Sequence, residues 1–238
     1  MLHNSRVSSI VCVAGFCLGW LLTAPARGQA PRVLADEVRE YDVFVKGKTA
    51  GKTFVRISDI DDGTTIAATD ANIKVESWLY TYRYEYHGRE VWRGNHMVDA
   101  NSHAVDDGKK LAAHATVNEH GSVIELPGKN PQAAPNLAMT TNYWRLPDVP
   151  PGTNNLAIMD SDSGAILTGS FKRVGSEQIN VNGRPIACIH FRVAGTAKAE
   201  LWFDDRSRLV RQQTVEDGYP TELLLTRIRG NTEVPEGR

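Results

Sequence analysis

Residues 78–92 read WLYTYRYEYHGREVW, and Trp78, Tyr80, Tyr82, Tyr84 and Tyr86 fall on every second position. In a β-strand, residues i, i+2 and i+4 point to one face. One strand here would therefore carry five aromatic rings on one side, with Leu79, Thr81, Arg83 and Glu85 on the other. A period of two scatters around a helical turn, so the stretch predicts strand and not helix. His87-Gly88 is expected to break this strand, which resumes from Arg89 to Arg93.

The flanking sequence repeats the same grammar. Runs rich in β-branched residues at 38–46, 53–59 and 64–75 precede the aromatic strand, and Asp62-Gly63 lies between two of them. Asp-Gly and Asn-Gly between such runs mark hairpins, because the favoured two-residue turn needs positive φ at its centre. Asp107-Gly108 predicts a hairpin that pairs Asp106 with Lys109, His103 with Ala112 and Asn101 with His114. Asn182-Gly183 predicts another, and short strands continue to residue 228. The one proline-rich interruption, 127–139, reads as a loop or a short helix, and 147–155 as a second exposed loop. The pattern predicts an all-β protein of about twelve strands with little helix, arranged as one antiparallel meander. Twist accumulates across that many strands, so a single strongly curved sheet, an open or half barrel, is expected.

The first thirty residues read as a leader. Arg6 precedes an apolar run, Ile10 to Leu22, that is too short to span a bilayer, for which about 20 residues are needed. Gly28 and Ala30 stand at the −3 and −1 positions of a cleavage site, the layout of a secretory signal peptide. The rival reading is an N-terminal anchor. Export to the periplasm or outside the cell is therefore expected, with a single β domain from 31 to 238. No later stretch is apolar enough for a transmembrane helix.

Cys12 and Cys17 leave with the leader, so Cys188 is the lone mature cysteine and no internal disulfide can form. A buried position is expected for it, since free cysteine is among the most buried residue types. Removing Arg6 and Arg27 leaves 25 basic against 28 acidic residues, which is no footprint for nucleic acid.

Chemistry-bearing patterns are sparse. The ring stripe could line a groove for a lipid or other amphipathic ligand, since tyrosine offers an apolar body and a polar tip; packing against a neighbouring layer is the rival. His103 and His114 fall diagonally on one strand face, a weak zinc pair lacking a third ligand and any HExxH or CxxC spacing. Cys188 and His190 share a strand face at i and i+2, without an orienting acid. The acidic runs at 59–62, 106–107 and 160–162 fit turn chemistry better than a calcium loop. Ser161 and Ser163 have no GxSxG elbow, and no glycine-rich phosphate loop exists. No cofactor is implied.

The motifs Y-x-Y before Glu90-Val91-Trp92-Arg93, a strand of small residues ending in Asp106-Asp107-Gly108, TTNYW at 140–144 and LWFDDRSRLVR at 201–211 together resemble a bacterial family of secreted proteins catalogued as a domain of unknown function, number 6134. His103 stands where that pattern has Thr or Ser. The resemblance implies an envelope β-sheet domain, similar to curved, open barrels of lipoprotein-carrier type, and no established activity. The candidate ligand-binding residues are Trp78, Tyr80, Tyr82, Tyr84, Tyr86, Glu90, Trp92 and Arg93. The expected role is a non-enzymatic envelope protein sheltering an apolar or amphipathic ligand or a lipidated partner. The alternatives are an envelope interaction module without a small ligand, or a hydrolase or metal enzyme built on Glu90, Arg93 and histidines.

Overall fold

Side-chain alternation and positive-φ turns, repeated over two hundred residues, leave the backbone one way to satisfy its hydrogen bonds: a continuous ladder. The computed structural model describes residues 32–76, 78–148, 153–216 and 218–232, with the side chains of 231 and 232 excepted. The predicted leader and its cleavage site lie outside them.

The strands are β1 (Val33–Val45), β2 (Lys48–Ile60), β3 (Thr64–Glu76), β4 (Thr81–Arg93), β5 (His96–Asp106), β6 (Lys109–Asn118), β7 (Gly121–Glu125) and β8 (Gln132–Ala134). They continue as β9 (Leu137–Thr140), β10 (Leu156–Met159), β11 (Ile166–Val181), β12 (Arg184–Gly195), β13 (Ala199–Phe203), β14 (Leu209–Glu216) and β15 (Tyr219–Thr232). All fifteen form one sheet in the order 8-7-6-5-4-3-2-1-15-14-13-12-11-10-9. The first and last strands zip together, with Tyr41 opposite Leu225 and Val43 opposite Leu223. Every pairing is antiparallel except that of β9 with β10. A parallel neighbour requires a long crossover, and residues 141–155 supply it.

The sheet is strongly curved, as the sequence implied, and more nearly closed than the open or half barrel expected, with fifteen strands where about twelve were expected. Much of the difference lies in the proline-rich segment, which is not simply a loop. It holds β8 and β9, the two terminal strands of the sheet, joined through Pro135-Asn136. Proline cannot donate to a ladder and is tolerated at edges. The segment is thus the seam of the barrel. The seam is bridged by side chains: the Leu137 amide donates to Ser122 Oγ on β7 at 3.2 Å.

Two further expectations need correction. His87-Gly88 does not break the aromatic strand; β4 runs through it without interruption. Trp78 and Tyr80 lie before β4, so the row of five rings on one strand is three, Tyr82, Tyr84 and Tyr86. The hairpin register around Asp107-Gly108 is as the sequence predicts, with Asn101 opposite His114, and Asp107 and Asn182 take positive φ in their turns.

The inward face is set by alternation. Along β4, Tyr86, Glu90 and Trp92 are buried while His87, Arg89 and Arg93 are exposed. Tyr41, Val55, Ile57, Met97, Leu201 and Phe203 belong to the same core; burying each such apolar side chain contributes about 1.5–3 kcal/mol. Glu90 is flanked by Ala67 on β3 and Ala100 on β5, with Ala115 beyond on β6. This row of small side chains leaves space for the crossover to pack against β4.

On the other half, both faces are buried. His190 pairs with Trp202, and Trp202 with Arg211, on the face opposite Leu201 and Phe203. The long β11–β12 hairpin is bulged at Arg173/Gly175, which bends a strand. Its tip reaches β15, where Asn182 Nδ2 donates to the Thr226 carbonyl at 2.6 Å.

Candidate functional site

The inward row of β4 meets the TTNYW segment at one carboxylate. Glu90 is 3% exposed. Its Oε1 accepts from Thr140 Oγ1 at 2.5 Å and Asn142 Nδ2 at 3.0 Å. Its Oε2 accepts from the indole N–H groups of Trp92 at 3.0 Å and Trp144 at 2.8 Å. A carboxylate is an acceptor, and these four partners are donors, so the polar groups at the barrel's centre are matched. Trp92 and Trp144 meet edge to face at 5.9 Å and 87°. Asn142 also donates to the Tyr86 hydroxyl at 3.0 Å. The result is a clasp that ties β4 to the segment following β9, across the seam.

Gly88 belongs to the same assembly. A Cβ there would lie 2.6 Å from Cζ and 2.7 Å from Cε1 of Tyr86. The ring thus lies flat over the glycine, which is why a turn-prone residue sits in mid-strand. Tyr84 stacks on Tyr86 at 6.4 Å and 5°.

Towards the start of β4 the row becomes acidic. Tyr82 donates to Asp106 at 2.8 Å, and Tyr84 to both oxygens of Asp162 at 2.8 and 2.9 Å. Burial raises the Asp162 carboxyl to about 6 against the Tyr84 hydrogen bond, with the charges of Asp160, Glu216 and Asp106 adding to the rise. Burial likewise pushes the Tyr84 and Tyr86 phenols up. Asp162 has a stability consequence. Its ordinary value is 3.8, so the folded chain holds an extra proton between the two values. The favourable contribution is complete below about pH 4 and is lost as pH rises through about 6. Asp162→Asn, which keeps an acceptor for Tyr84, is expected to be more stable than the parent by about 2 kcal/mol at pH 7 and equal to it near pH 4. Urea unfolding at the two pH values checks this.

The predicted binding residues therefore separate. Tyr86, Glu90 and Trp92 converge but bond to the protein itself. Tyr82 and Tyr84 are half-buried and bonded to acids. Arg93 points outward and is exposed, so it cannot act with Glu90. Trp78 is 91% exposed at one end of the barrel. Tyr80 follows it there, its phenol raised by the charge of, and a hydrogen bond to, the neighbouring Tyr219.

His114 bonds Asp99 at 2.8 Å and Glu125 at 3.0 Å, which holds its pKa above the ordinary value. His103 pairs across strands with His87. Among the described residues no group of three His, Cys, Asp or Glu side chains is arranged to hold a metal. Cys188 is buried, and burial raises its thiol to about 11. His190 stacks on Trp202 at 4.2 Å and bonds Glu200 at 2.6 Å. The Asp160 carboxylate accepts from Ser163 N and Oγ, which is turn chemistry.

A concavity lies elsewhere. A groove of about 940 Å³ opens at the barrel end where β1 turns into β2 and β14 into β15. Phe44, Val193, Ala199, Val215 and Pro220 give it apolar walls. Its polar row is set by register, with Glu222, Gln213, Glu200 and Arg192 side by side across four strands. Those acids are already answered: Glu200 by Arg192 at 2.5 Å and His190, Glu222 by Arg211 at 2.5 Å and Gln213 at 2.6 Å. Lys198 lines the groove with no ion pair among the described residues. Next in the chain to the lining residues Gly47 and Pro220, Lys46 lies over the Tyr219 ring at 3.8 Å. Sequence reading missed this groove because its walls join β1 to the far end of the chain, β12 to β15, and none of the lining residues belongs to a motif.

A family model described as "Domain of unknown function (DUF6134)" matches residues 41–226. No curated protein matches the chain. Among solved structures, a beta-barrel-like protein of domain of unknown function DUF1849 from Brucella abortus is similar in fold, with a TM-score of 0.60 at 7% identity over 84% of this chain and 99% of that one. At that identity the likeness is one of fold alone.

Proposed function

The chain belongs to the DUF6134 family of domains of unknown function, and from that premise we propose that it is a non-enzymatic, exported binding protein for an amphipathic anion. The observation that carries the reading is the groove: open, walled by Phe44, Val193, Val215 and Pro220, and supplied with one unanswered cation, Lys198. Ligand sites are concave, mostly apolar and of roughly 300–1,000 Å³, with few polar groups for orientation. An acyl chain would lie against the apolar walls and its acid head against Lys198. Inside the barrel, Glu90, Trp92 and Trp144 are buried and bonded to one another. The groove replaces the tyrosine face as the ligand's place. The leader-like first thirty residues support export.

Val215 is 67% exposed and is bare apolar surface on the groove wall. Oleate is expected to displace the reporter 1-anilinonaphthalene-8-sulfonate from the parent protein. Val215→Asp is expected to weaken oleate at least about tenfold by placing charge where the chain would lie. Tyr84→Phe, which changes no residue lining the groove, should leave oleate binding unchanged. Equal oleate affinity in the parent and Val215→Asp would sink the reading.

A further inference from the structure

The opposite end of the barrel holds a second, smaller pocket of about 470 Å³, and its chemistry is different. Its wall residues come from the ends of β2 and β3, the β4–β5 turn, the crossover and the β13–β14 turn. Arg39 forms part of the lining and is already used: it is buried, donates to Glu37 and gives Nη1 to the Trp144 carbonyl at 2.6 Å. The remaining charges are not used in this way.

Arg145 lies over Trp92 at 4.8 Å and Trp144 at 5.4 Å. Its hydrogen bonds go to neutral oxygens, the Gly94 carbonyl at 3.3 Å and Asn95 Oδ1 at 2.9 Å. Burial lowers its pKa, opposed by the charges of Asp148, Glu90 and Asp59. Arg206, on the turn facing it, has no ion pair among the described residues. That turn is fixed: Asp204 accepts from the amides of Arg206 and Arg208 at 2.9 Å each and from Arg208 Nε at 2.7 Å.

Two carboxylates share the pocket, and among the described residues neither is in an ion pair. Asp59 accepts from Thr65 Oγ1 at 2.6 Å, and Asp148 accepts from Asn95 Nδ2. Asn95 is the telling residue. Its amide oxygen takes Arg145 and its amide nitrogen serves Asp148, so one neutral side chain holds a cation and an anion apart. Two guanidinium groups and two carboxylates thus line one polar pocket with no direct ion pair between them among the described residues. A purely anionic ligand would meet the aspartates, and a purely cationic one the arginines. A molecule carrying both signs answers all four.

We infer that this pocket binds a small zwitterion, its oxyanion set against Arg145 and Arg206 and its ammonium against Asp59 and Asp148. Guanidinium favours planar, two-point contact with phosphate or carboxylate oxygens. O-Phosphoethanolamine has the required pairing of groups, and the same chemistry occurs free or as a lipid headgroup.

Isothermal titration of the full chain with O-phosphoethanolamine, inorganic phosphate and ethanolamine tests this. O-Phosphoethanolamine is expected to bind at least about tenfold more tightly than either fragment. Arg206→Gln, an exposed change on a turn held by Asp204, should weaken both O-phosphoethanolamine and phosphate. Asp148→Asn should weaken O-phosphoethanolamine and leave phosphate unaffected or tightened. Co-sedimentation with phosphatidylethanolamine vesicles separates the sources: binding to vesicles assigns a lipid headgroup, and binding of the soluble compound alone assigns a free metabolite. Phosphate binding as tightly as O-phosphoethanolamine, an unchanged affinity in both variants, or no heat up to about 10 mM would overturn the inference.

Discussion

Glu90→Ala is expected to lower the free energy of unfolding by about 4 kcal/mol, the largest single-residue effect in the barrel outside its biggest core side chains. The cost does not come from losing one residue's packing. It comes from leaving three buried donors, on Thr140, Trp92 and Trp144, and the half-buried Asn142 amide around an empty acceptor site. Each buried donor without a partner costs about 1–3 kcal/mol, and the sum is softened where water enters. Glu90→Gln should cost somewhat less, because one oxygen remains while the amide nitrogen turns donor against donor. The defect should be local as well as global. The Leu137 amide, across the seam on Ser122, is expected to exchange its proton faster in Glu90→Ala while amides of the β1–β15 pairing keep their rank order. A loss below about 1 kcal/mol would mean that the carboxylate does not hold the seam.

Gly88→Ala is expected to cost about 2 kcal/mol, far above a routine change in a strand, where alanine is usually the better residue. The added carbon would press on the Tyr86 ring at Cζ and Cε1. That ring has little freedom, because Asn142 holds its hydroxyl and Tyr84 stacks on its face. Moving it disturbs the same Asn142 that donates to Glu90. The specific check is a double-mutant cycle. In a Tyr86→Ala background, Gly88→Ala should cost less than about 0.5 kcal/mol, since the clash has gone. An undiminished cost there would place the fault in the backbone instead.

Much of the fold was written in local pattern. Asp107-Gly108 and Asn182-Gly183 fix hairpins through positive φ, and one register assignment, Asn101 to His114, follows from turn length. What the pattern could not carry was closure. Pro127 to Thr140 has turn composition, yet contributes both terminal strands, because pairing at an edge tolerates proline and needs few residues. Gly88 looks like a breaker in one dimension and is a cavity for a ring in three. The stripe's first rings, Trp78 and Tyr80, leave the strand because β4 begins only at Thr81.

The site divides in the same way. Glu90, Trp92 and the TTNYW segment were visible as motifs, but the hydrogen bonds that join them to one another were not. Val215, Pro220 and Lys198 carry no motif, and only cross-strand register brings them to one groove with Phe44 and Val193. Residues that fill an interior leave a signature in sequence because each must match its neighbours; a groove wall needs only to be apolar and open.

The most direct test of ligand binding at the groove is the native mass of the protein purified from cells that make it, with the extract of any adduct identified. The parent and Tyr84→Phe are expected to carry an amphipathic anion, and Val215→Asp to run at the bare protein mass. A bare mass for all three, or an adduct that survives Val215→Asp and is lost in Tyr84→Phe, would contradict the groove as the binding site.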